Sequence, residues 1–554
     1  MLTKARPWYR PWAERPEFDS VTFESDLERL RRFYEARGYY GAEIGYDLDI
    51  DQDQSLVTAR ISVAEGDPVV VDAIDVKVSG KADSATRPSL PKTLPVKRGD
   101  VFEEEKYLAA EQALRNVFLR HSYARVEVQR RAEVDLVGRK VRIAYTVEPG
   151  PPSVFGPTEI FGTDKVDAEL VRREISYAAG EAFSPEKIAE TRAKIAGLGL
   201  FGIVRIEPKK VVGKPAVVPM VIEVAEKLHR EVRVSVGYST EDEFRGEVEW
   251  RHFNWLGGGR QLSLAAKYSS IIVSGAANFI QPHFYSPRTK ASLGFRHDQD
   301  DEETYLLNAT RFTPRLDHGF NRALTGFLGF RIEYDRLNDI DAATEAALGP
   351  IRRAGVLSGP ALGLVWNSTD NPFSPQRGEV VSLIVEQAGS TWGSEYRFYK
   401  ITAEAKKYIA LGWETVFASR LKIGLADAIG AEDRYPLFER FFAGGEKSVR
   451  GYGRRRLGPL SAANDPLGGL SLIEGSLELR RPIWRELSGA VFVDFGQVSL
   501  RPFDVPIDNV RFSSGFGFSY ATPIGPLRLD IGFPFNPPRG DRPWQIHFSI
   551  GAFF

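Results

Sequence analysis

The chain has 554 residues, too many for one compact domain, so several are expected. Its net charge of −1 argues against a general nucleic-acid binder and leaves basic character as a local matter. It has no cysteine, which fits an envelope or extracellular protein free of unwanted disulfides. No run approaches about 18 apolar residues, which excludes a transmembrane helix but not membrane-spanning strands.

Met1-Leu2-Thr3-Lys4 leads into a Pro/Trp/Arg-rich stretch with no apolar core, so no secretory leader is expected there. Next comes a repeat built of a helix, an aromatic turn and two strands. In the first copy Leu27, Leu30, Phe33 and Tyr34 share a helical face, Gly38-Tyr39-Tyr40-Gly41 turns, and Ile44–Ile50 and Leu56–Val63 pattern as a hairpin. In the second, Leu114, Val117 and Phe118 mark the helix, Ser122-Tyr123 the turn, and Val126–Val134 and Lys140–Val147 the strands. In the third, Ser184-Pro185 supplies an N-cap and a first helical residue, and Ile188, Ile195 and Leu198 form the apolar face. Leu200-Phe201-Gly202 then turns into strands over Ile203–Lys210 and Val217–Val224. Tyr40, Tyr123 and Phe201 recur about 80 residues apart, the size of one small α/β module. Full copies open with a strand (Val69–Val78; Val154–Phe161), and the third adds a first helix over Val166–Tyr177. The first copy lacks these opening elements and is expected to be truncated. The resulting boundaries are 1–66, 67–149 and 150–228 for the repeats and 229–554 for the remainder of the chain.

From about Glu231 helical periodicity gives way to period-2 alternation that persists to the last residue. Val232, Val234, Val236 and Tyr238 alternate with Arg233, Ser235 and Gly237. Leu527, Leu529, Ile531 and Phe533 alternate with Arg528, Asp530 and Gly532. Apolar faces set against Arg, Asp, Gly and Ser suit a closed barrel with lipid outside and water inside. About sixteen candidate strands can be counted, an even number as bacterial single-chain barrels have. A soluble propeller fits the long strands and terminal aromatics less well.

Phe441 to Gly458, FFAGGEKSVRGYGRRRLG, is too rich in Gly and Arg for a strand or helix. Val449, Arg450, Gly451 and Tyr452 lie at its centre. By themselves these residues fit a flexible surface loop as well as a loop that re-enters a polar cavity. The next strands favour the cavity. On Leu472–Arg480, Leu477 and Leu479 oppose Glu474, Glu478 and Arg480; on Ala490–Gln497, Val491, Val493 and Phe495 oppose Phe492, Asp494 and Gly496. With the apolar faces toward lipid, Glu474, Glu478 and Asp494 point into the lumen. Carboxylates there are ordinary wet lining unless a cation meets them, and the guanidinium fork of Arg450 is the natural partner.

Val449-Arg450-Gly451-Tyr452, Phe-x-Asp-x-Gly at 492–496 and an aromatic C-terminal strand together resemble the BamA/TamA superfamily of outer-membrane assembly proteins. The repeats resemble polypeptide-transport-associated (POTRA) domains. FFAGGEKSVRGYGRRRLGP, GAVFVDFGQV and ATPIGPLRLDIGFP are similar to the TamA branch, and Trp366 to Pro372 with Arg377-Gly378 resembles another shared barrel segment. The likeness covers nearly the whole chain. It implies α+β POTRA repeats in the periplasm, followed by an all-β 16-stranded transmembrane β-barrel in the outer membrane. It further implies that the Arg450 loop folds into the lumen against the strand bearing Asp494, with a weak seam between first and last strands. The implied function is insertion of unfolded outer-membrane clients, autotransporters among them, into the lipid bilayer with a TamB-like inner-membrane-anchored partner.

Independently of the likeness, Trp544–Phe554 must close the barrel against Glu231–Tyr238, and the flanking 535–540 segment offers few packing partners and no donor at its prolines. Opened strand edges template an incoming strand. Trp544, Phe548 and Phe554 also read as a C-terminal strand signal, or simply as the last lipid-facing residues. No HExxH, GxSxG or Walker loop is present, and the seven histidines show no metal-ligand spacing, so no catalytic residue, metal or cofactor is expected. The alternative is a two-partner-type secretion pore exporting unfolded polypeptides. Such pores typically carry two POTRA domains and a plug helix, for which residues 1–20, with three prolines and two tryptophans, are poorly suited. A passive porin would need neither the repeats nor the loop.

Overall fold

The fold was analysed in a computed structural model, which describes residues 17–551 apart from 54–55, 80–87, 92, 214, 372–373, 431–433, 523–524 and 538–541. Residues 1–16, Pro372, Pro538, Gly540 and Phe554, invoked above, lie outside the described residues.

The first repeat contains helix α1 (Ser20–Glu35) and the hairpin β1 (Glu43–Asp51) and β2 (Leu56–Ala64). Asp19 caps α1, its carboxylate accepting from the Val21 and Thr22 amides at 3.3 and 3.1 Å. The second repeat runs β3 (Val70–Val78), α2 (Glu104–Arg120), β4 (Glu127–Asp135) and β5 (Lys140–Glu148). Its sheet order is β3-β5-β4, with β3 parallel and β4 antiparallel to β5. Alternate residues Val141, Ile143, Tyr145 and Val147 of β5 are buried beneath Ala110, Leu114 and Phe118 of α2, and the Tyr145 hydroxyl donates to the Tyr107 carbonyl at 2.9 Å.

The third repeat holds β6 (Val154–Phe161), α3 (Ala168–Arg173), α4 (Pro185–Gly197), β7 (Phe201–Pro208) and β8 (Val217–Glu226), again with the central strand last, β6-β8-β7. Ser184 and Pro185 begin α4 as the sequence predicts, the Lys187 amide donating to the Ser184 hydroxyl at 3.3 Å. Helix α3 is shorter than the expected Val166–Tyr177. Tyr177 leaves the helix to stack on Phe155 at 4.0 Å, and the Ser176 amide donates to Thr191 Oγ1 at 3.0 Å instead of to a helical carbonyl.

The second unit is a barrel of sixteen strands. They are β9 (Arg230–Ser239), β10 (Glu243–His252), β11 (Gln261–Tyr268), β12 (Ile272–Gln281), β13 (Thr289–Glu302), β14 (Tyr305–Gly319), β15 (Leu324–Asn338) and β16 (Ala354–Asn367). They continue as β17 (Gly378–Ala388), β18 (Phe398–Gly412), β19 (Thr415–Ala428), β20 (Ser471–Trp484), β21 (Leu487–Ser499), β22 (Arg511–Thr522), β23 (Gly525–Pro534) and β24 (Gln545–Gly551). A short helix α5 (Ala342–Leu348) joins β15 to β16. Every strand pairs antiparallel with its sequence neighbour, and β24 closes the ring on β9.

Alternation decides which face each side chain takes. Leu477 and Leu479 on β20 are 45% and 41% exposed, whereas Glu478 between them is 5% exposed and Asp494 on β21 fully buried. Apolar side chains outside and carboxylates inside are what a lipid-embedded ring requires. No helix among the described residues is long and apolar enough to cross a membrane; the strands do so.

Among the described residues only Ser549, Ile550 and Gly551 pair with Ser239, Tyr238 and Gly237, whereas β10 pairs with β9 along its whole length from Glu243 to His252. Beyond the ladder, the Thr240 amide donates to the Phe548 carbonyl at 3.0 Å.

Leu114 is fully buried at the centre of the second repeat. Leu114→Ala should destabilise that repeat by about 2–5 kcal/mol. Hydrogen exchange should show β5 amides losing protection while barrel amides keep theirs; unchanged β5 protection would refute this core assignment.

Candidate functional site

In the connection between β19 and β20, residues 434–470 turn back into the ring instead of leaving it. Antiparallel bridges Phe441–Gly469 and Ala443–Leu457 fold it on itself, and a 3₁₀ turn at Leu437–Glu439 starts the descent. Its tip is a compact knot: the Gly445 amide donates to the Tyr452 carbonyl at 3.0 Å and the Tyr452 amide to the Val449 carbonyl at 3.1 Å. Gly444 and Gly445, at φ +99° and +107°, supply a backbone that side-chain-bearing residues rarely adopt.

Arg450 sits at the tip with 5% of its surface exposed. Its Nε and Nη2 donate to the two oxygens of Asp494, each at 2.8 Å, and its own amide adds a third bond to the same carboxylate at 3.0 Å. Nη1 donates to Glu478 Oε2 at 2.7 Å and lies 3.8 Å from Asp530; Nη2 also reaches Ser476 Oγ at 3.1 Å. The guanidinium carbon is 3.3 Å from the centroid of the Phe492 ring. Strands β20, β21 and β23 thus each present an acid to one fork.

Close approach of the loop to the wall depends on missing side chains. A Cβ on Gly532 of β23 would fall 2.4 Å from the Arg450 carbonyl oxygen, and one on Gly451 would fall 2.3 Å from Ser513 Cβ. Val449 and Tyr452 flank Arg450 and are buried in an apolar cluster with Leu472 and Val498.

The sequence grouped Glu474 with Asp494 and Glu478. The structure brings Asp494 and Glu478 to Arg450 but not Glu474. Glu474 lies opposite Lys422 in the β19–β20 register, and it takes Arg420 Nη2 at 2.6 Å, Lys422 at 3.4 Å and the Ser448 hydroxyl. It therefore holds the loop at Ser448, two residues before Arg450. Trp544 stands 43% exposed just before β24, and Phe548 sits outward beside Tyr238, ring centroids 6.4 Å apart.

Several contacts were not legible beforehand. His547 of β24 donates from Nε2 to the Arg450 carbonyl at 2.8 Å, and its Nδ1 lies 3.4 Å from Glu241 in the β9–β10 turn. Glu241 also accepts from the Glu446 amide at 2.5 Å. On the far side of the ring, Arg454 forms a two-bond fork with Glu302 at 2.6 and 2.8 Å, Arg455 meets Glu302 at 2.8 Å, and Arg456 pairs with Glu303. Glu439 is held between Arg331 of β15 at 2.7 Å and Lys400 of β18 at 2.8 Å. Only the alternation of β15, β18 and β24 hinted that these partners face inward.

Residues 254–554 match the Omp85 superfamily domain, and residues 74–150 match the POTRA family, described as a surface antigen variable number repeat. The outer membrane protein assembly factor BamA of Neisseria meningitidis serogroup B is 22% identical over 615 aligned positions, spanning 100% of this chain and 75% of that protein. BamA of Nitratidesulfovibrio vulgaris is 25% identical over 487 positions, spanning 83% of this chain and 59% of the relative. Among solved structures, BamA from Haemophilus ducreyi lacking POTRA domains 1-3 gives a TM-score of 0.66 at 18% identity over 87% of this chain and 99% of that one. CdiB from Acinetobacter baumannii gives 0.51 at 15% identity over 96% and 99%. At such identities the solved structures bear on fold alone.

Arg450→Ala leaves the buried Asp494 carboxylate without its cation and takes one of the cations from Glu478, which keeps Arg480 at 2.5 Å. Removing one partner of such a pair costs about 3–5 kcal/mol, so the docked loop should loosen by that order. Limited proteolysis within 441–458 should then cut a barrel that still migrates as folded. Arg450→Lys, which keeps a charge but loses the fork, should fall between. A loop equally resistant in all three proteins would overturn the assignment.

Proposed function

Because this chain belongs to the Omp85 superfamily, we propose that it is an assembly factor that folds β-barrel clients and inserts them into the outer membrane. The barrel lies in the outer membrane and the POTRA repeats in the periplasm. The observation that carries the proposal is the short closing pair of β24 with β9. Among the described residues this pair has three ladder partners, against ten between β9 and β10, so the first and last strands form the shortest junction described in the ring. Parting it presents an unpaired edge with main-chain donors and acceptors, to which a client strand adds by β-augmentation. No nucleotide is required in this scheme; the client's own folding supplies the free energy.

The roles follow from the geometry. Val449, Arg450, Gly451 and Tyr452 form the docked tip, Asp494 and Glu478 receive Arg450, and Glu474 secures the neighbouring turn. Through His547 the tip touches β24, and through Glu241 the loop touches the turn that follows β9, so loop position and junction state are linked. Trp544 and Phe548, with Phe554, serve as the terminal strand signal. Clients reach the junction from the periplasm, where POTRA edge strands hold extended segments. The BamA name of the relatives spanning most of the chain supports general barrel assembly. A TamA-type specialisation, with autotransporter clients and a TamB-like partner, rests on motif wording and is the narrower form of the proposal.

A two-partner-type secretion pore shares the architecture, as the CdiB likeness illustrates. The crossing loop disfavours it, because the lumen is occupied from the β13–β14 hairpin to β23.

Ser239 and Ser549 are directly paired across the junction. The double variant Ser239→Cys, Ser549→Cys, oxidised to a disulfide, should lower client folding into proteoliposomes at least tenfold, with recovery on reduction. Full activity of the oxidised form would remove the lateral mechanism. Persistent ion conductance of the unmodified protein, together with translocation of an unfolded chain, would favour the pore.

A further inference from the structure

His547 is buried where three parts of the barrel meet: β24, the turn between β9 and β10, and the docked loop tip. Its Nε2 stands 2.8 Å from the Arg450 carbonyl oxygen, which can only accept, so this nitrogen carries a proton. Its Nδ1 faces Glu241 Oε1 at 3.4 Å, within ion-pair reach. A neutral imidazole has one N–H and one lone pair. With the N–H spent on Arg450, the lone pair faces a carboxylate, and two acceptors oppose each other away from water. An imidazolium donates from both nitrogens and turns that opposition into attraction.

The surrounding charges leave Glu241 as the counter-ion. Asp530, directly opposite His547 on β23, accepts from Arg528 at 2.6 Å and lies 3.8 Å from Arg450. Asp242 takes the Ser239 hydroxyl at 2.5 Å and faces Arg245 of β10 at 3.6 Å. On the loop, Glu446 meets the Ser549 hydroxyl, with Lys447 as its neighbouring cation, and the Glu446 amide donates to Glu241. Arg454, the cation nearest Glu241 on the loop's far side, is committed to Glu302. Two carboxylates, Glu241 and Glu446, therefore flank one imidazole. Residues 547 and 241 face each other only while Ser549 lies against Ser239, because both positions extend that register by two residues.

We propose that His547 is a positioning residue for strand release, a protonated latch that ties the last strand to the β9–β10 turn and to the loop tip. Its consequence for client folding rests on the lateral mechanism proposed above. The charged ring gains its ion pair only in the closed junction, so protonation favours closure. Histidine ordinarily titrates between about pH 5 and 8. The latch is engaged while the ring is charged and is lost as pH rises through that titration. Below about pH 5 the two acids begin to protonate and the attraction fades there as well. Closure is thus tightest in mild acid and loosens toward mild alkali.

The test follows the full chain in lipid nanodiscs by hydrogen exchange, each rate corrected for the intrinsic pH dependence of amide exchange. From about pH 6 to about pH 8, protection of the β24 amides and of their β9 partners should fall at least about fivefold, while β14 amides keep theirs. His547→Gln donates to the Arg450 carbonyl at either pH and should give a flat profile. Glu241→Gln removes the counter-ion and should flatten it too. Heat-modifiable migration verifies that each variant is a folded barrel. An unaltered protein with no fall, or a fall that persists in either variant, overturns the latch. Client folding into proteoliposomes at the same two pH values separates the latch from the lateral mechanism. Junction protection that changes with pH while client folding does not would remove the lateral mechanism and leave the latch. Folding that is blocked by the Ser239→Cys, Ser549→Cys disulfide in a protein whose junction ignores pH would do the reverse.

Discussion

A guanidinium enclosed within a barrel wall is tolerable only where carboxylates already wait for it, and Arg450 imposes that condition on everything around it. Its acids come from three strands, so the β20–β21, β21–β22 and β22–β23 registers must all be right at once. A slip of one residue in β21 would send Asp494 outward to lipid and bring Val493 or Phe495 inward. The loop's glycines and Gly532 answer the same demand, because a fork can reach both oxygens of Asp494 only if backbone meets backbone. The loop is therefore fixed in place by a charge that cannot remain unpaired, more than by its own secondary structure.

The same principle recurs around the ring with different partners. Glu439 settles between Arg331 and Lys400, and Arg454 and Arg455 share Glu302. Apolar packing fills the intervals, with Tyr435, Phe441, Val449, Tyr452 and Leu457 in one buried cluster with Leu357, Phe398 and Leu472 of the wall. Charge chooses the position, and burial of these aromatics and aliphatics excludes the water that would otherwise weaken the pairs.

The barrel was readable from alternation because a lipid-facing residue and a lumen-facing residue differ in kind at every step. Leu477 against Glu478 is enough to orient β20. The pairing of Arg450 with Asp494 was readable for a similar reason: few acids stand on faces that such a loop can reach. Glu474 was misassigned because alternation tells only that a side chain points inward. Which cation it meets depends on β19, where Lys422 stands directly opposite it and Arg420 one inward position along. The contacts of His547 with Arg450 and of Arg454 with Glu302 join residues 97 and 152 positions apart, and no local pattern encodes such distances. Helix α3 failed for the opposite reason, since a good apolar face continued in the sequence while stacking of Tyr177 on Phe155 ended the helix early.

The loop touches the ring at separate stations: β13 and its turn, β15 with β18, the β20–β23 wall, the β9–β10 turn through Glu241, and β24 through His547. A cylinder tied across its bore in this way resists becoming oval. Any flattening lengthens one diameter, and the tie spans several. Distortion of the cross-section is thereby converted into tension on a few ion pairs, and the hoop stays round for as long as those pairs hold.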